Sequence, residues 1–226
     1  MLIVRPLVQP RPSPPSKMSK MKTRALELLP ALEAGDQRVF LKKFKTESAL
    51  QAAHSVRELL LGVFLKRNAF TPRHEVEFGG KTPDWALYDD DGHLTGLVDQ
   101  LTLHQVRELD DEINASLRQG SSWVGWVPGN TQRIYEKLSE KASRYSALSE
   151  SMAIAYVVSV FFELNVAVDD HEVHEALENL HGGGVFSAYP SLSGVLVSSE
   201  RWGKYIFRYI PNPQALRPLA LTDAEV

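Results

Sequence analysis

Apolar positions along the chain change period several times, and each change marks an element. From Lys22 to Phe44 they recur at helical spacing, with Leu26, Leu29, Leu32, Val39 and Phe40 on one side and breaks at Pro30 and Gly35. That predicts two short helices covering one side of the main domain. A better helix follows, from an N-cap at Thr46 through Ala49, Ala52, Ala53, Val56, Leu59, Leu60 and Val63 to Asn68, ahead of Pro72. Gly62 weakens its last turns. The period then drops to two. His74-Glu75-Val76-Glu77-Phe78 alternates, Gly79-Gly80 turns, and Pro83 to Tyr88 is short and strand-like. Asp89-Asp90-Asp91-Gly92 turns again, and Leu94 to Leu103 reads as the third strand of a meander.

Val106, Leu109, Ile113 and Leu117 suggest a short helical insertion whose acidic residues form a solvated face. Thr131 to Ser149 is the clearest amphipathic helix, with Ile134, Leu138, Ala142, Tyr145 and Leu148 on one side. Ile154 to Leu164 is almost continuously apolar, as a strand buried on both faces should be. A helix over Asp170 to Leu180 stops at Gly182-Gly183-Gly184, and short strands follow at Gly194–Ser198 and Tyr205–Ile210 before Pro211-Asn212-Pro213. The expected organisation is a proline-rich tail over 1–20, a helical extension over 21–45, a main domain over 46–213 and a tail over 214–226. The order of elements implies an α/β domain in which helices flank a mixed sheet.

Composition narrows the chemistry. None of the 226 residues is cysteine, so there is no disulfide, thiol nucleophile or thiolate metal site. A net charge of −3 excludes nucleic-acid binding by bulk charge alone, leaving a local rim. Lys42, Lys43, Lys45, Lys66, Arg67, Arg133 and Arg144, with Trp123 and Trp126, are the candidates for one. No apolar run approaches the roughly 20 residues that span a bilayer, and the expectation is a soluble, cytoplasmic chain.

The informative segment is Lys81-Thr-Pro-Asp84-Trp-Ala-Leu followed by Gly96-Leu-Val-Asp99-Gln100-Leu101. Alternation puts Asp84, Ala86 and Tyr88 on one face of their strand, and Leu97, Asp99 and Leu101 on one face of the next. Adjacent strands lie about 4.8 Å apart, so facing carboxylates at these positions would share a divalent cation; the register decides whether they face. The plain alternative is that Asp84 bonds a turn and that Asp99 is satisfied by Lys81 or Lys141, with no metal at all.

These residues resemble the PD-(D/E)XK, or restriction-endonuclease-like, nuclease superfamily. Pro83-Asp84 matches the PD element, Asp99-Gln100 the acidic residue and its successor, and Glu58 in the preceding helix an accessory acid. The likeness runs over 46–164 and implies an α-β-β-β-α-β core. Lys141-Ala-Ser-Arg-Tyr145, followed by the apolar strand, is similar to the same stretch of uncharacterised bacterial members. The resemblance implies hydrolysis of DNA with Mg²⁺ or Mn²⁺ held by Asp84, Asp99 and Gln100, and leaves a homo-oligomer open. The sequence departs from the pattern at Leu101, where a lysine is expected. Lys137 and Lys141 lie on the helix that supplies that lysine in some members, and Lys141 fits better, one turn before Tyr145. Two alternatives stay open: the same fold without catalysis, serving binding or assembly, and an unrelated α/β domain with structural aspartates.

Overall fold

The computed structural model describes residues 17–104, 111–112, 115–116, 118–119, 129–163, 166, 168–201 and 204–226. Helices α1 (Lys17–Leu28), α2 (Ala34–Thr46) and α3 (Ala49–Arg67) come first, with a 3-10 turn at Leu29–Ala31. Strands β1 (Thr71–His74), β2 (Trp85–Tyr88) and β3 (Leu94–Leu103) precede α4 (Thr131–Met152) and β4 (Ala155–Phe162). Then come α5 (Asp170–His174), a π turn at Glu175–Asn179, and α6 (Leu180–Ala188). The chain ends with β5 (Gly194–Arg201), β6 (Lys204–Pro211) and β7 (Ala224–Glu225).

The seven strands of the described residues lie side by side in chain order, so the class is α/β with a mixed sheet. β3, β4 and β5 are parallel, and the strands outside them pair antiparallel. Strand alternation splits the core into two layers. Trp85, Leu87, Val98, Val157, Phe161 and Leu196 pack with α1 and α3, while Ala86, Leu97, Val158, Val160 and Val195 pack with α4 and α6. All of β4 is buried, because helices cover both of its faces. Among the described residues, no helix is long and apolar enough to cross a membrane.

Several expectations need correction. Thr46 ends α2 rather than capping α3. The cap is Ser48, which accepts from the Gln51 N–H while Gln51 reaches back to the Ser48 N–H, a reciprocal pair that Thr46 lacks. The first strand lies earlier than His74–Phe78. Pro72 belongs to it because β1 is an edge strand, where the missing N–H costs nothing, and Glu75 leaves the strand at φ +52. The segment over Asp170 to Leu180 is not one α-helix: regular turns end at His174. His181 to Gly184 is non-helical within α6, and Gly184 (φ +65) lies where a Cβ would be 2.2 Å from the Leu177 carbonyl. Regular structure also continues past Pro213. β7 pairs with β6, and Val226 is buried against Tyr205, with which it exchanges two backbone hydrogen bonds. The expected helix over Val106 to Leu117 and the two tryptophans at 123 and 126 lie outside the described residues or only partly within them.

Candidate functional site

Two strands and one helix build the acidic centre. β2 pairs with β3 through Trp85↔Val98, Ala86↔Leu97 and Leu87↔Gly96. Carried one residue back, that register sets Asp84 opposite Asp99 on the face that α4 covers. A bulge makes this so: past Leu87 the pairing shifts to Tyr88↔Leu94, leaving Thr95 as the extra residue, its hydroxyl donating to the Leu87 carbonyl at 3.1 Å. Counted back from the turn without that bulge, Asp84 would pair with Val98, and Asp99 would belong to the opposite face.

Asp99 is 2% exposed, and its Oδ2 accepts from Lys141 Nζ at 2.7 Å. That is a charge-assisted bond of the strong kind. Lys141 reaches it because it flanks the buried stripe of α4 formed by Leu138, Ala142 and Tyr145. The Tyr156 hydroxyl donates to the Lys141 carbonyl at 3.0 Å and fixes that turn of helix from β4. The Tyr145 hydroxyl donates to Thr82 O at 3.0 Å, holding the chain just before Asp84. Burial, reinforced by the Asp99 charge, pushes the Tyr145 phenol up to about 12, so it stays a donor.

Asp84 Oδ2 accepts the Gln100 N–H at 2.5 Å. Its pKa is pushed up to about 8, first by burial and then by the Asp99 charge. The Gln100 N–H and Lys141 pull the other way. Two carboxylates thus share a single ammonium, a net deficit of one positive charge that a proton or a divalent cation removes.

The remaining candidates separate clearly. Gln100 contributes its backbone N–H, and Leu101 is a half-buried apolar residue. Lys137 pairs with Glu140 at the surface, and Lys81 donates to the Arg144 carbonyl at the other end of the site. Glu58 lies beside this centre. His74 Nε2 lies 3.3 Å and Lys43 Nζ 3.0 Å from its Oε2, and despite burial those two partners lower its pKa to about 2. Lys43 also reaches Glu75 Oε1 at 2.9 Å. Lys43, expected on a phosphate-binding rim, is therefore engaged inside the protein. At the surface, Arg67 donates to Glu225 O at 2.7 Å, and Arg133 donates to Asn130 Oδ1 at 2.7 Å and His104 O at 2.6 Å.

One carboxylate oxygen each from Glu58 and Glu75 and one ring nitrogen of His74 lie within 4.8 Å of one another, a set able to hold a metal ion. Sequence reasoning did not combine these residues. The signal was faint: an exposed-looking His-Glu pair at the end of a strand, 16 and 17 residues after a helical glutamate.

No family model matches the chain, and no curated protein does. A solved structure, SfsA of Pyrococcus furiosus in complex with Ca²⁺, is similar at 14% identity, covering 69% of this chain. The similar region spans 61% of that structure's length, with a TM-score of 0.28.

Proposed function

We propose that the chain is a metal-dependent nuclease of the PD-(D/E)XK type that hydrolyses phosphodiester bonds in DNA. The observation that supports this most is the Lys141 ammonium on Asp99 Oδ2, with Asp84 across the strand. It supplies from the helix the positive charge that Leu101 withholds. In this reading the nuclease unit takes 46–213, with 21–45 as a helical extension.

The donor set suits a hard divalent cation: two carboxylates at facing positions, one of them shifted toward protonation by burial and by its neighbour's charge. Asp84, Asp99 and an oxygen of Gln100 would hold Mg²⁺ or Mn²⁺. When bound, such an ion polarises a phosphoryl oxygen and acidifies its water. The protein's own groups do the rest. The Gln100 N–H orients Asp84, Tyr145 fixes the Thr82–Asp84 backbone, and Lys141 offsets charge on the attacked phosphate. Glu58 acts as an accessory acid through its charge, which reaches Asp84.

The test is plasmid nicking and single-stranded DNA degradation by purified protein with Mn²⁺. Asp84→Ala, Asp99→Asn and Lys141→Ala should each abolish activity. Activity that survives Lys141→Ala defeats the role given to that lysine. A second reading, a non-catalytic binding or assembly module, is favoured by Leu101. It becomes the better one if Mn²⁺ binds and no DNA or RNA is cut.

A further inference from the structure

We propose that His74 Nδ1 and Glu75, with Glu58 holding the imidazole from its other nitrogen, form a second cation site, distinct from Asp84 and Asp99, for a divalent transition ion of the Zn²⁺ class. The Lys43 ammonium acts as its resident competitor. The site does not depend on the nuclease reading.

Three elements meet there. Glu58 comes from the middle of α3, and His74 is the last residue of β1. Glu75 turns out of the strand and is fixed by its N–H donating to Asp84 O at 3.1 Å. Imidazole with a carboxylate is a donor pair for borderline ions, whereas an all-oxygen set selects Mg²⁺ or Ca²⁺, and the Glu58 carboxylate on Nε2–H fixes the tautomer that frees Nδ1. Two protein ligands leave coordination positions for water.

The second observation is the imidazole itself. The His74 side chain is 1% exposed, wedged between Phe40 and Trp85 with ring centroids at 4.6 and 5.0 Å. With Nε2–H donating to Glu58, Nδ1 carries a lone pair and, among the described residues, has no hydrogen-bond partner. It faces Glu75 Oε2 at 3.7 Å. Two acceptors confront each other across a gap too long for a hydrogen bond. Two ligands bound tetrahedrally at about 2.1 Å sit about 3.4 Å apart, so the gap is close to the size that an ion spans. An orphaned buried nitrogen costs free energy that coordination would recover.

Lys43 holds the two carboxylates together. Its Nζ bridges Glu58 and Glu75 at 3.0 and 2.9 Å, but it sits on a flexible stem that can swing toward solvent. An incoming ion must displace it or share Glu75 with it. Removing Lys43 should therefore tighten metal binding, the opposite of its effect on a cluster built only as an ion pair.

The experiment is Zn²⁺ titration by calorimetry of the full chain carrying Asp84→Asn, which silences the acidic centre. One equivalent should bind. Glu75→Gln, at a half-exposed position that does not threaten folding, should weaken it about a hundredfold, on the scale of lost metal ligation. Lys43→Met should tighten it at least tenfold, roughly the effect of removing one nearby positive charge. Co²⁺ added to the otherwise wild-type chain should give visible ligand-field bands that Glu75→Gln removes. No Zn²⁺ binding in Asp84→Asn, binding unchanged by Glu75→Gln, or weaker binding in Lys43→Met would each overturn the proposal. Loss of DNA cleavage in Asp84→Asn leaves it untouched.

Discussion

Asp84 and Glu58 are neighbouring carboxylates, and burial is the largest influence on both. Yet Asp84 is pushed up to about 8 and Glu58 is lowered to about 2. The difference lies in what faces them. Glu58 has an ammonium at 3.0 Å and an imidazole at 3.3 Å, both directed at the same oxygen. Asp84 has one backbone N–H and another carboxylate, and the nearby ammonium is committed to that other carboxylate. Depth alone therefore does not make a group reactive; an imbalance of charge at that depth does. The Glu58 centre is close to satisfied as an ion-pair network, while the Asp84 centre is one positive charge short.

The largest test of this contrast removes each cation in turn. Lys141→Met leaves Asp99 buried with no counter-charge beside a second acid, and breaking a buried pair costs about 3–5 kcal/mol. Lys43→Met should cost much less, because Glu58 keeps His74 and Glu75 is half exposed. Urea denaturation at pH 7 measures both. Equal losses would mean that the two centres do not differ as described.

Next in size is the pH dependence, where the two groups have opposite signs. Glu58 has a folded pKa below the usual 4.5, so its contribution is full above that pH and is lost as pH falls toward 2. Its size is at most about 3 kcal/mol. Asp84 has a raised folded pKa, so the folded state holds a proton that the unfolded chain releases. Its effect is a loss of stability as pH rises from the ordinary carboxylate range toward 8. Glu58→Gln should flatten the acid limb of a stability–pH curve, and Asp84→Asn the neutral limb. A curve in which either substitution flattens the other limb breaks the assignment.

Much of the frame behind these centres was legible because periodicity is a strong signal. β3 spans Leu94–Leu103 as its pattern implies, and α4 buries Ile134, Leu138, Ala142 and Tyr145 as expected. Alternation placed Asp84 and Asp99 on single faces of their strands. It could not make them converge, since that depends on a one-residue bulge at Thr95 that no pattern announces. The Glu58 centre was illegible for a related reason. Its groups come from α2, α3 and the end of β1, and only tertiary packing brings them together.

A smaller effect tests what holds the two centres beside each other. Gly62 looked like a weak spot in α3, yet a Cβ there would lie 2.3 Å from the Trp85 ring. That ring packs against the helix at Gly62, and its Nε1–H donates to the Glu58 carbonyl at 3.1 Å. Trp85 thus ties the residue after Asp84 to the turn that carries Glu58. Gly62→Ala gains helix propensity but forces the ring to move. The expected net result is a loss of about 2 kcal/mol, within the range for overpacking. A more stable Gly62→Ala protein would show that the tryptophan is not locked in place.

The smallest expected change separates positioning from charge. Tyr145 carries no charge, and its hydroxyl touches neither aspartate. It donates to the carbonyl of Thr82, whose next residue, Pro83, has no N–H with which to anchor the chain itself. Tyr145→Phe should therefore cost about 1 kcal/mol of stability, the usual worth of one such bond. It should leave the acid limb governed by Glu58 unchanged, since that network lies on the α3 side of the sheet. Its second readout is the thermal shift produced by Mn²⁺, which stabilises in proportion to its affinity for the folded state. With the Thr82–Asp84 backbone loosened, that shift should shrink while the shift produced by Zn²⁺ at the Glu58 centre holds. If both shifts fall together, the two centres are one coupled site, and the contrast between Asp84 and Glu58 is a difference within it rather than between neighbours.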